Sequence, residues 1–536
     1  MKPSNASKKP AVPSNLPMPD TPLLKVERLT VSFGENEVVH GVDFDLLQGE
    51  ILAIVGESGS GKSVTCSAIA GLLPRGGHIT QGRCTHGPTR APWAAADTPA
   101  KAPLGRGLSL VFQDPMSSLN PSMRVGWQVA ETALVHRQCS TSEARALATA
   151  LLKEAELPDP EAAFDKYPHE MSGGQKQRVM IALALAADPE VLIADEPTTA
   201  LDATVQKSIL ALLKKVSGQR HMGVIFITHD LDVVHAIADR VLVMQHGRIV
   251  ESGEVNTVLE QPAHPYTQAL LRARDIERFQ QNAPSGSPLV QAVNAAKWFG
   301  DFCAVHDASL AIDRGERVGL IGESGSGKST LGRMLIGMLA TTSGTISFDG
   351  ETVAPANRTS MARLRRRAQL VFQDPYSALN PKLTVGSALE EVLVHAGTPA
   401  TEATHQARRL LEEVGLEASD AAKYPGGFSG GQRQRIVIAR ALAVEPEFVV
   451  LDESVAALDV QIQRDVLALL DRIGRERKLT YLFISHDLDV VASFCNRLII
   501  LEKGRIVEAG ETEEIVRQPA TEYTAELLAS RPKNLR

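Results

Sequence analysis

The sequence lacks several features that mark specialised protein classes. None of its five cysteines belongs to a CxxC pair, which argues against a zinc ribbon or a clustered iron–sulfur site. Basic residues are not in excess, because 56 Lys and Arg stand against 63 Asp and Glu. The chain therefore lacks the overall charge of a dedicated nucleic-acid binder, and its separated cysteines are expected to be small buried side chains.

Long apolar runs are also missing. No run reaches the ~18 residues that a membrane-spanning helix needs. Segment 1–22 contains lysines but no apolar stretch of the kind found in a secretory signal, and we expect it to be a disordered tail. The sequence thus predicts a soluble, intracellular protein that reaches a membrane only through partners.

What the sequence does contain is one unit, present twice. Two domains of about 250 residues are predicted, at 23–273 and 289–530, with a linker at 274–288 and a short tail at 531–536. The repeated segments are GESGSGKS at 56–63 and 322–329, FQDPMSSLNP at 112–121 and FQDPYSALNP at 372–381, KYPHEMSGGQKQR at 166–178 and KYPGGFSGGQRQR at 423–435, VLIADEPTTALD at 191–202 and FVVLDESVAALD at 448–459, and FITHDLDVV at 226–234 and FISHDLDVV at 483–491.

The order of apolar runs and glycine loops predicts an α/β fold. ILAIV (51–55) and VLIA (191–194) are short, apolar and flanked by turn residues, as in central strands of a parallel sheet. The segments 63–73 and 329–339, which follow the glycine loops, are predicted to be helices. Strand, glycine loop and helix in succession indicate an α/β core in each half.

Three further segments interrupt these cores. Residues 125–167 and 385–424 have helical character and predict a helical subdomain inserted in each core. Residues 74–107 are rich in glycine, proline and alanine and predict an irregular surface excursion in the first half only.

The glycine loops fit GxxxxGK[ST], the P-loop pattern, between a strand and a helix. Their backbone N–H groups can surround phosphate oxygens, while the lysine neutralises phosphate charge and the final serine places its hydroxyl on Mg²⁺. The predicted phosphate-binding residues are Gly56, Glu57, Ser58, Gly59, Ser60, Gly61, Lys62 and Ser63, and Gly322, Glu323, Ser324, Gly325, Ser326, Gly327, Lys328 and Ser329.

Carboxylates at the ends of apolar strands supply the remaining chemistry. Such strand ends are where open α/β sheets place ligand-binding groups. Asp195 and Asp452 are predicted to serve the Mg²⁺ sphere. The adjacent Glu196 and Glu453 are predicted to orient or deprotonate the water that attacks the phosphate.

A histidine and a glutamine accompany each carboxylate pair. His229 and His486 each follow the glutamate by 33 residues, and we expect them to sense the γ-phosphate. Gln113 and Gln373 are placed to bridge the metal ion and the attacking water. The sequence therefore predicts two ATPase sites that use ATP and Mg²⁺.

P-loop, glutamine motif, SGGQ, DE and histidine in this order resemble the nucleotide-binding domain of ATP-binding cassette (ABC) proteins, over nearly the whole chain and twice. The resemblance implies two P-loop NTPase domains in tandem, each with an α/β core and an inserted helical subdomain. It also implies that each SGGQ segment caps the γ-phosphate of ATP held by the other half's P-loop. These segments are Ser172, Gly173, Gly174 and Gln175, and Ser429, Gly430, Gly431 and Gln432.

The same resemblance implies roles for two further residue pairs. Asp202 and Asp459 would lie near the seam between the halves. Phe33 and Phe299 each lie 29 residues before the P-loop lysine, a position that suits stacking on adenine. The Mg²⁺ set would comprise Ser63, Gln113, Asp195, Ser329, Gln373 and Asp452.

QDP…LNP and QPAHPYTQALL (261–271) resemble the oligopeptide/dipeptide/nickel branch of ABC importers in a fused form. The second tail, QPATEYTAELL (518–528), matches that branch less well. The resemblance implies two integral-membrane permease subunits, an external solute-binding protein, no nucleic-acid partner, and a peripheral location on the cytoplasmic face of the inner membrane. The alternative is a soluble tandem ABC ATPase that acts on ribosomes or nucleic acid, which usually has a long charged helical linker.

Overall fold

The computed structural model describes residues 22–87, 93, 102–105, 107–113, 118–199, 201–273, 278–279, 286–354, 357–455 and 458–529. The elements that the two halves share follow the same order along the chain. The first-half strands are β1 (Leu24–Phe33), β2 (Asn36–Leu46), β3 (Ile51–Val55), β4 (Gly77–His86), β5 (Leu108–Val111), β6 (Val191–Asp195), β7 (Gly223–Ile227), β8 (Arg240–Gln245) and β9 (Arg248–Glu254). The second-half strands are β10 (Pro288–Phe299), β11 (Phe302–Asp313), β12 (Arg317–Ile321), β13 (Ser343–Phe348), β14 (Glu351–Thr352), β15 (Ala368–Val371), β16 (Phe448–Asp452), β17 (Thr480–Ser485), β18 (Arg497–Glu502) and β19 (Arg505–Glu511).

The helices lie between these strands, singly or in runs, and two more follow the last strand of each half. Those of the first half are α1 (Lys62–Ile69), α2 (Val125–Arg137), α3 (Thr141–Glu154), α4 (Pro160–Phe164), α5 (Gly173–Ala186), α6 (Ala203–Arg220), α7 (Leu231–Ile237), α8 (Val255–Glu260) and α9 (Pro265–Ala273). Those of the second half are α10 (Lys328–Leu335), α11 (Arg358–Arg367), α12 (Pro375–Ala378), α13 (Val385–Ala396), α14 (Ala400–Glu413), α15 (Gly430–Leu442), α16 (Val460–Arg477), α17 (Leu488–Phe494), α18 (Thr512–Arg517) and α19 (Glu522–Ala529). No helix within the described ranges is long and apolar enough to cross a membrane.

A six-stranded sheet forms the centre of each half. Its strand order is β5-β6-β7-β3-β8-β9 in the first half and β15-β16-β17-β12-β18-β19 in the second. The first five strands run parallel, and the last pairs antiparallel with its neighbour. All five residues of β3 are buried, as expected for a central strand covered on both faces. The predicted strands at 51–55 and 191–194 and the α/β fold class are confirmed.

Apolar layers cover both faces of the central sheet. In the first half, Leu52 and Ile54 of β3 belong to a cluster shared with the small antiparallel sheet β2-β1-β4. Ala53 and Val55 point to the opposite side, where they join a cluster with the tail residue Tyr266. A third cluster joins the central sheet to α2, α3 and α5. Of these, α2 and α3 lie within 125–167 and confirm the helical character predicted for that segment.

The predicted P-loop helices extend too far toward their C-termini. The sequence predicts helices to residues 73 and 339, but α1 ends at Ile69 and α10 at Leu335. Gly71 and Gly337 follow with φ of +68° and +72°, a left-handed conformation that ends a helix at little cost for glycine. Apolar character alone did not indicate this stop.

The predicted irregular excursion at 74–107 is wrong in its first part. Gly77–His86 forms β4, which pairs antiparallel with β1. Gly82 has a φ of +94°, and a Cβ there would lie 2.3 Å from the Arg28 carbonyl oxygen. Only glycine therefore fits at this irregular position in the pairing of β4 with β1. The buried Trp93 bridges to Cys84, and its Nε1 donates to the Ile69 carbonyl at 2.7 Å. Segments 88–92 and 94–101 lie outside the described residues.

Candidate functional site

Each P-loop joins a buried central strand to a helix N-terminus. In the first half, Lys62 Nζ donates to the carbonyl oxygens of Gly56 and Glu57 at 2.6 and 2.9 Å. A Cβ at Gly56 would lie 2.2 Å from the Met244 carbonyl oxygen, so no larger residue fits at the start of this loop. Burial lowers the pKa of Lys62, partly offset by the nearby carboxylates. The loop thus holds a buried cation beside backbone amides.

The second P-loop repeats this geometry closely. Lys328 Nζ donates to the carbonyl oxygens of Gly322 and Glu323, both at 2.8 Å. A Cβ at Gly322 would lie 2.1 Å from the Leu501 carbonyl oxygen. Gly61 and Gly327, the residues before each helix, share a φ of +102°. Both halves therefore present the lysine from the same backbone frame.

A hydroxyl and a carboxylate meet beside each P-loop. Ser63 Oγ donates to Asp195 Oδ1 at 3.1 Å, and Ser329 Oγ donates to Asp452 Oδ1 at 2.7 Å. Burial raises the pKa of both aspartates, against the hydrogen bonds from the serines. Paired hard oxygen donors suit Mg²⁺, which usually takes one or two carboxylates and completes its shell with water and phosphate.

No group of three or more His, Cys, Asp or Glu residues suited to a metal ion occurs in the described part of the chain. The donors at each P-loop fit an ion shared with a phosphate rather than one held by an all-protein cage.

Glu196 lies at the centre of a hydrogen-bond network. Its Oε2 accepts from Gln113 Nε2 at 3.0 Å and from Thr199 Oγ1 at 2.9 Å. Its Oε1 lies 3.1 Å from His229 Nδ1. Burial acts to raise the pKa of Glu196, but hydrogen bonds from His229 and Thr199 and the charge of Lys62 lower it overall. The carboxylate is therefore ionised and held in a fixed orientation, as a group that positions a water molecule needs to be.

Glu453 has a related but sparser network. Its Oε2 accepts from Gln373 Nε2 at 2.6 Å, and its Oε1 lies 3.7 Å from His486 Nδ1. Burial acts to raise the pKa of Glu453, but His486, Lys328 and Gln373 lower it overall. The sequence has Ala456 where the first half has Thr199, so one hydroxyl donor is missing.

The serine of each SGGQ segment begins a helix. Ser172 Oγ accepts from Gln175 N at 3.3 Å, and Gln175 Oε1 accepts from Ser172 N at 3.1 Å. A Cβ at Gly174 would lie 2.5 Å from Val205 Cγ1, so the helix start packs closely against α6. The helix N-terminus that results can attract an anion.

The second SGGQ segment forms the same reciprocal cap between Ser429 and Gln432. A Cβ at Gly431 would lie 2.3 Å from Ile462 Cγ2. Among the described residues, no hydrogen bond joins Ser172 or Ser429 to the P-loop of the other half.

The two halves meet at a seam formed by their nucleotide-site loops. Ser58 N, in the first P-loop, donates to Asp459 Oδ2 of the second half at 3.3 Å. A cavity of about 210 Å³ lies at this seam and is lined by residues of both halves. Its lining includes Glu57, Asp202, His229, Leu270, Glu323, Asp459, His486 and Leu527. The sequence expectation that Asp459 lies near the seam is confirmed by this hydrogen bond.

The two candidate adenine-stacking residues have different surroundings. Phe33 ends β1, is partly buried, and covers Gly77, where a Cβ would lie 2.8 Å from the ring. Phe299 ends β10 and is 47% exposed, with Lys297 Nζ 5.2 Å from its ring centroid. Their assignment to adenine stays a prediction.

Sequence reasoning missed four residues that contact the site. Thr199 donates to Glu196, Arg333 lies 3.8 Å from Asp452, and Tyr266 accepts a hydrogen bond from Glu57 N at 3.0 Å. The second-half tail tyrosine, Tyr523, makes the equivalent contact. The recurrence of a tyrosine in both tail segments was the available signal.

The chain is similar in sequence to known proteins over most of its length. The family described as "ABC transporter" matches residues 39–199 and 305–456, and "Oligopeptide/dipeptide transporter, C-terminal region" matches 250–308. The glutathione import ATP-binding protein GsiA of Shigella dysenteriae serotype 1 (strain Sd197) is 40% identical, over 95% of this chain and 89% of the relative. The peptidoglycan transport ATP-binding protein YejF of Agrobacterium fabrum is 43% identical, over 95% of this chain and 96% of the relative. The solved structure of cbiO1 from Clostridium perfringens is 27% identical and covers 46% of this chain and 96% of that one, with a TM-score of 0.41.

The family matches fall on both halves and include both P-loops and both DE pairs. Each half also places its lysine, serine, aspartate, glutamate and histidine at one end of a parallel sheet. The chain therefore belongs to the ABC transporter family, as a fused pair of ATP-hydrolysing ABC domains.

Proposed function

We propose that this chain is the ATP-driven motor of an importer for peptides or related small solutes. The observation that carries the proposal is a complete ATPase residue set in each half, followed in the first half by an oligopeptide/dipeptide transporter C-terminal region. The names of the relatives, a glutathione import protein and a peptidoglycan transport protein, support a solute of peptide-like chemistry.

In the proposed mechanism two ATP molecules bind between the halves, head to tail. Lys62 and the P-loop amides hold the phosphates of one, while Ser429 and its helix N-terminus approach from the other half. Lys328 and Ser172 play these roles at the second site. The meeting of a P-loop with Asp459 of the opposite half supports this arrangement, since it brings the nucleotide loops of both halves to one seam.

Hydrolysis requires a water aligned with the γ-phosphate. Glu196 and Glu453 orient that water, while Gln113 and Gln373 hold each carboxylate from one side. Ser63 with Asp195 and Ser329 with Asp452 would hold Mg²⁺, which supplies charge neutralisation at the phosphates. His229 and His486 would contact the γ-phosphate from the end of the neighbouring strand.

Two membrane permease subunits and an external solute-binding protein are the proposed partners, with this chain on the cytoplasmic face of the inner membrane. ATP-driven closure of the seam would change the conformation of the permeases. Co-purification from solubilised membranes, followed by identification of the ligand on the binding protein, tests this assignment. Recovery of ribosomes or nucleic acid in place of membrane proteins would contradict it.

The catalytic assignment has a separate test. The double variant Glu196→Gln and Glu453→Gln should bind ATP normally but release phosphate about 100-fold more slowly, the lower end of the usual general-base contribution. Glu260→Gln, an exposed glutamate at the end of α8, is the matched control and should keep the parental rate. Parental turnover in the double variant would refute the role of these carboxylates.

A further inference from the structure

A tyrosine near the start of each tail helix contacts the P-loop of its own half. Tyr266 Oη accepts a hydrogen bond from Glu57 N at 3.0 Å, across 209 residues of chain. Tyr523 Oη accepts one from Glu323 N, also at 3.0 Å, across 200 residues. The same bond thus occurs in both halves, at the second residue of each P-loop.

The tail turns of the two halves share a glutamate anchor but differ in the residue that caps the helix. In the first, Glu251 on β9 accepts from the amides of Ala263 and His264 at 2.7 and 3.1 Å, and His264 Nδ1 accepts from Tyr266 N at 3.2 Å. Glu251 therefore anchors the turn to the edge strand of the central sheet, and His264 orients the first turn of α9.

In the second half, Glu508 on β19 accepts from Ala520 N at 2.8 Å, and Thr521 Oγ1 accepts from Thr524 N at 3.1 Å. Thr521 replaces the histidine cap, yet the tyrosine still reaches the P-loop amide. The cap has diverged, while the glutamate anchor and the tyrosine contact occur in both tails.

The tail also reaches the seam between the halves. The first tail helix, α9, packs against α16 of the second half. Leu270 of α9 and Leu527 of α19 line the seam cavity. In the first P-loop, consecutive amides are held by different partners, Glu57 N by the tail tyrosine and Ser58 N by Asp459 of the other half.

We propose that Tyr266 and Tyr523 are positioning residues for ATP use, which hold the P-loop in its phosphate-binding shape and connect it to the tail helix at the seam. The hydroxyl fixes the amide next to the loop segment that surrounds the phosphates. Without this acceptor the loop would have to become ordered when ATP binds. The free energy of that ordering would be subtracted from the binding free energy, so the loss appears mainly as weaker ATP affinity. The proposal concerns ATP use alone and does not depend on the solute carried.

Phenylalanine variants of the full chain test the proposal, because they keep the ring and remove only the acceptor. The double variant Tyr266→Phe and Tyr523→Phe should raise the KM for ATP about fivefold, as expected for loss of one neutral hydrogen bond per site. Its kcat should change less than about twofold, since no group that touches the reacting atoms is altered.

Tyr481→Phe is the matched control. Tyr481 is buried in the second half, and its hydroxyl donates to the Leu470 carbonyl at 3.0 Å, within the core. This variant should lower the melting temperature but leave the KM for ATP unchanged. An unchanged KM in the double variant, or an equal KM shift in Tyr481→Phe, would overturn the proposal.

A second measurement separates binding from turnover. With Glu196→Gln and Glu453→Gln added to each variant, equilibrium binding of a fluorescent ATP analogue reports P-loop affinity directly. The double phenylalanine variant should bind about fivefold more weakly in this background than its parent. Equal binding with and without the tyrosine hydroxyls would refute the positioning role, whatever the outcome for hydrolysis or transport.

Discussion

The two glutamates proposed to orient the attacking water occupy the same backbone position but have different hydrogen-bond partners. Glu196 lies 3.1 Å from its histidine and receives an additional hydroxyl from Thr199. Glu453 lies 3.7 Å from its histidine, and the sequence has Ala456 in place of that threonine. Duplication has thus kept the frame of both sites while the side chains that hold the carboxylate have diverged.

A second difference concerns Asp195 and Asp452, the two aspartates proposed to hold Mg²⁺. Arg333 Nη2 lies 3.8 Å from Asp452 Oδ2, whereas the first half has Ser67 at the corresponding position. The charge of Arg333 acts to lower the pKa of Asp452 against the effect of burial. The two halves therefore differ in catalytic support and in local charge, and the two differences are separable by mutation.

Loss of the histidine should show the largest contrast. With Glu453→Gln silencing the second site, His229→Ala should reduce phosphate release by about 100-fold, because the side chain proposed to contact the γ-phosphate, which also bonds Glu196, is lost. With Glu196→Gln silencing the first, His486→Ala should cost about tenfold, since the longer contact contributes less. His78→Ala, at an exposed site on β4, is the control. Equal losses at both sites would show that the 3.1 and 3.7 Å geometries are equivalent in function.

Removal of the Thr199 hydroxyl should make the first site resemble the second. Thr199→Val should lower kcat about tenfold in the Glu453→Gln background, because a hydrogen bond to an ionised carboxylate is lost. Thr199→Ser keeps a hydroxyl and should stay near the parental rate. Equal kcat values for the valine and serine variants would show that the Thr199 hydroxyl does not contribute to the difference between the two sites.

An exchange of charge beside the aspartates should alter the Mg²⁺ requirement. In the Glu196→Gln background, Arg333→Ser should lower the Mg²⁺ concentration for half-maximal turnover about threefold, because a nearby cation no longer opposes the metal ion. Ser67→Arg in the Glu453→Gln background should raise it by a similar factor. Measurement of turnover against Mg²⁺ concentration checks both, and parallel shifts in the same direction would contradict the charge argument.

The smallest expected effect concerns pH and stability. The pKa of His229 is raised overall, since its bond to Glu196 outweighs burial, while that of Glu196 is lowered. The pair therefore gives its full stabilisation between pH 4.5 and pH 6.5, the ordinary pKa values of glutamate and histidine. This stabilisation is lost as the pH rises through the raised pKa of His229.

His229→Gln should accordingly lower the melting temperature by about 2 °C at pH 6 and have little effect at pH 9. His486→Gln should show a smaller difference at pH 6 because its contact with Glu453 is longer. Scanning calorimetry across this pH range measures both, and a deficit that grows toward pH 9 would contradict the ion-pair explanation.

Much of this architecture could be predicted because the chemistry lies in contiguous motifs. The glycine loop joins a strand to a helix within a short stretch of chain, so the position of Lys62 and Ser63 at the start of that helix follows from the local sequence. The capped helix at Ser172 follows from its own four residues in the same way.

Contacts between distant segments could not be predicted in this way. The bond from Glu57 to Tyr266 joins an amide, which has no sequence signature, to a side chain in the tail. Strand β4 was missed because its glycines, including Gly82, indicate irregular chain unless the close approach of Arg28 is known. The local sequence pattern thus predicts the P-loops, whereas the long-range contacts that support them depend on tertiary packing.

Glu196 and Glu453 have φ of +46° and +45°, a left-handed conformation that side chains other than glycine and asparagine rarely adopt. Holding a glutamate there costs about 1 kcal/mol or more of folding free energy, which the surrounding sheet must offset. Replacement of either glutamate by glycine would relieve this strain, but it would also remove the carboxylate and its hydrogen bond to the neighbouring glutamine. The backbone at these two positions therefore favours glycine, while the contacts of the side chain favour the acid.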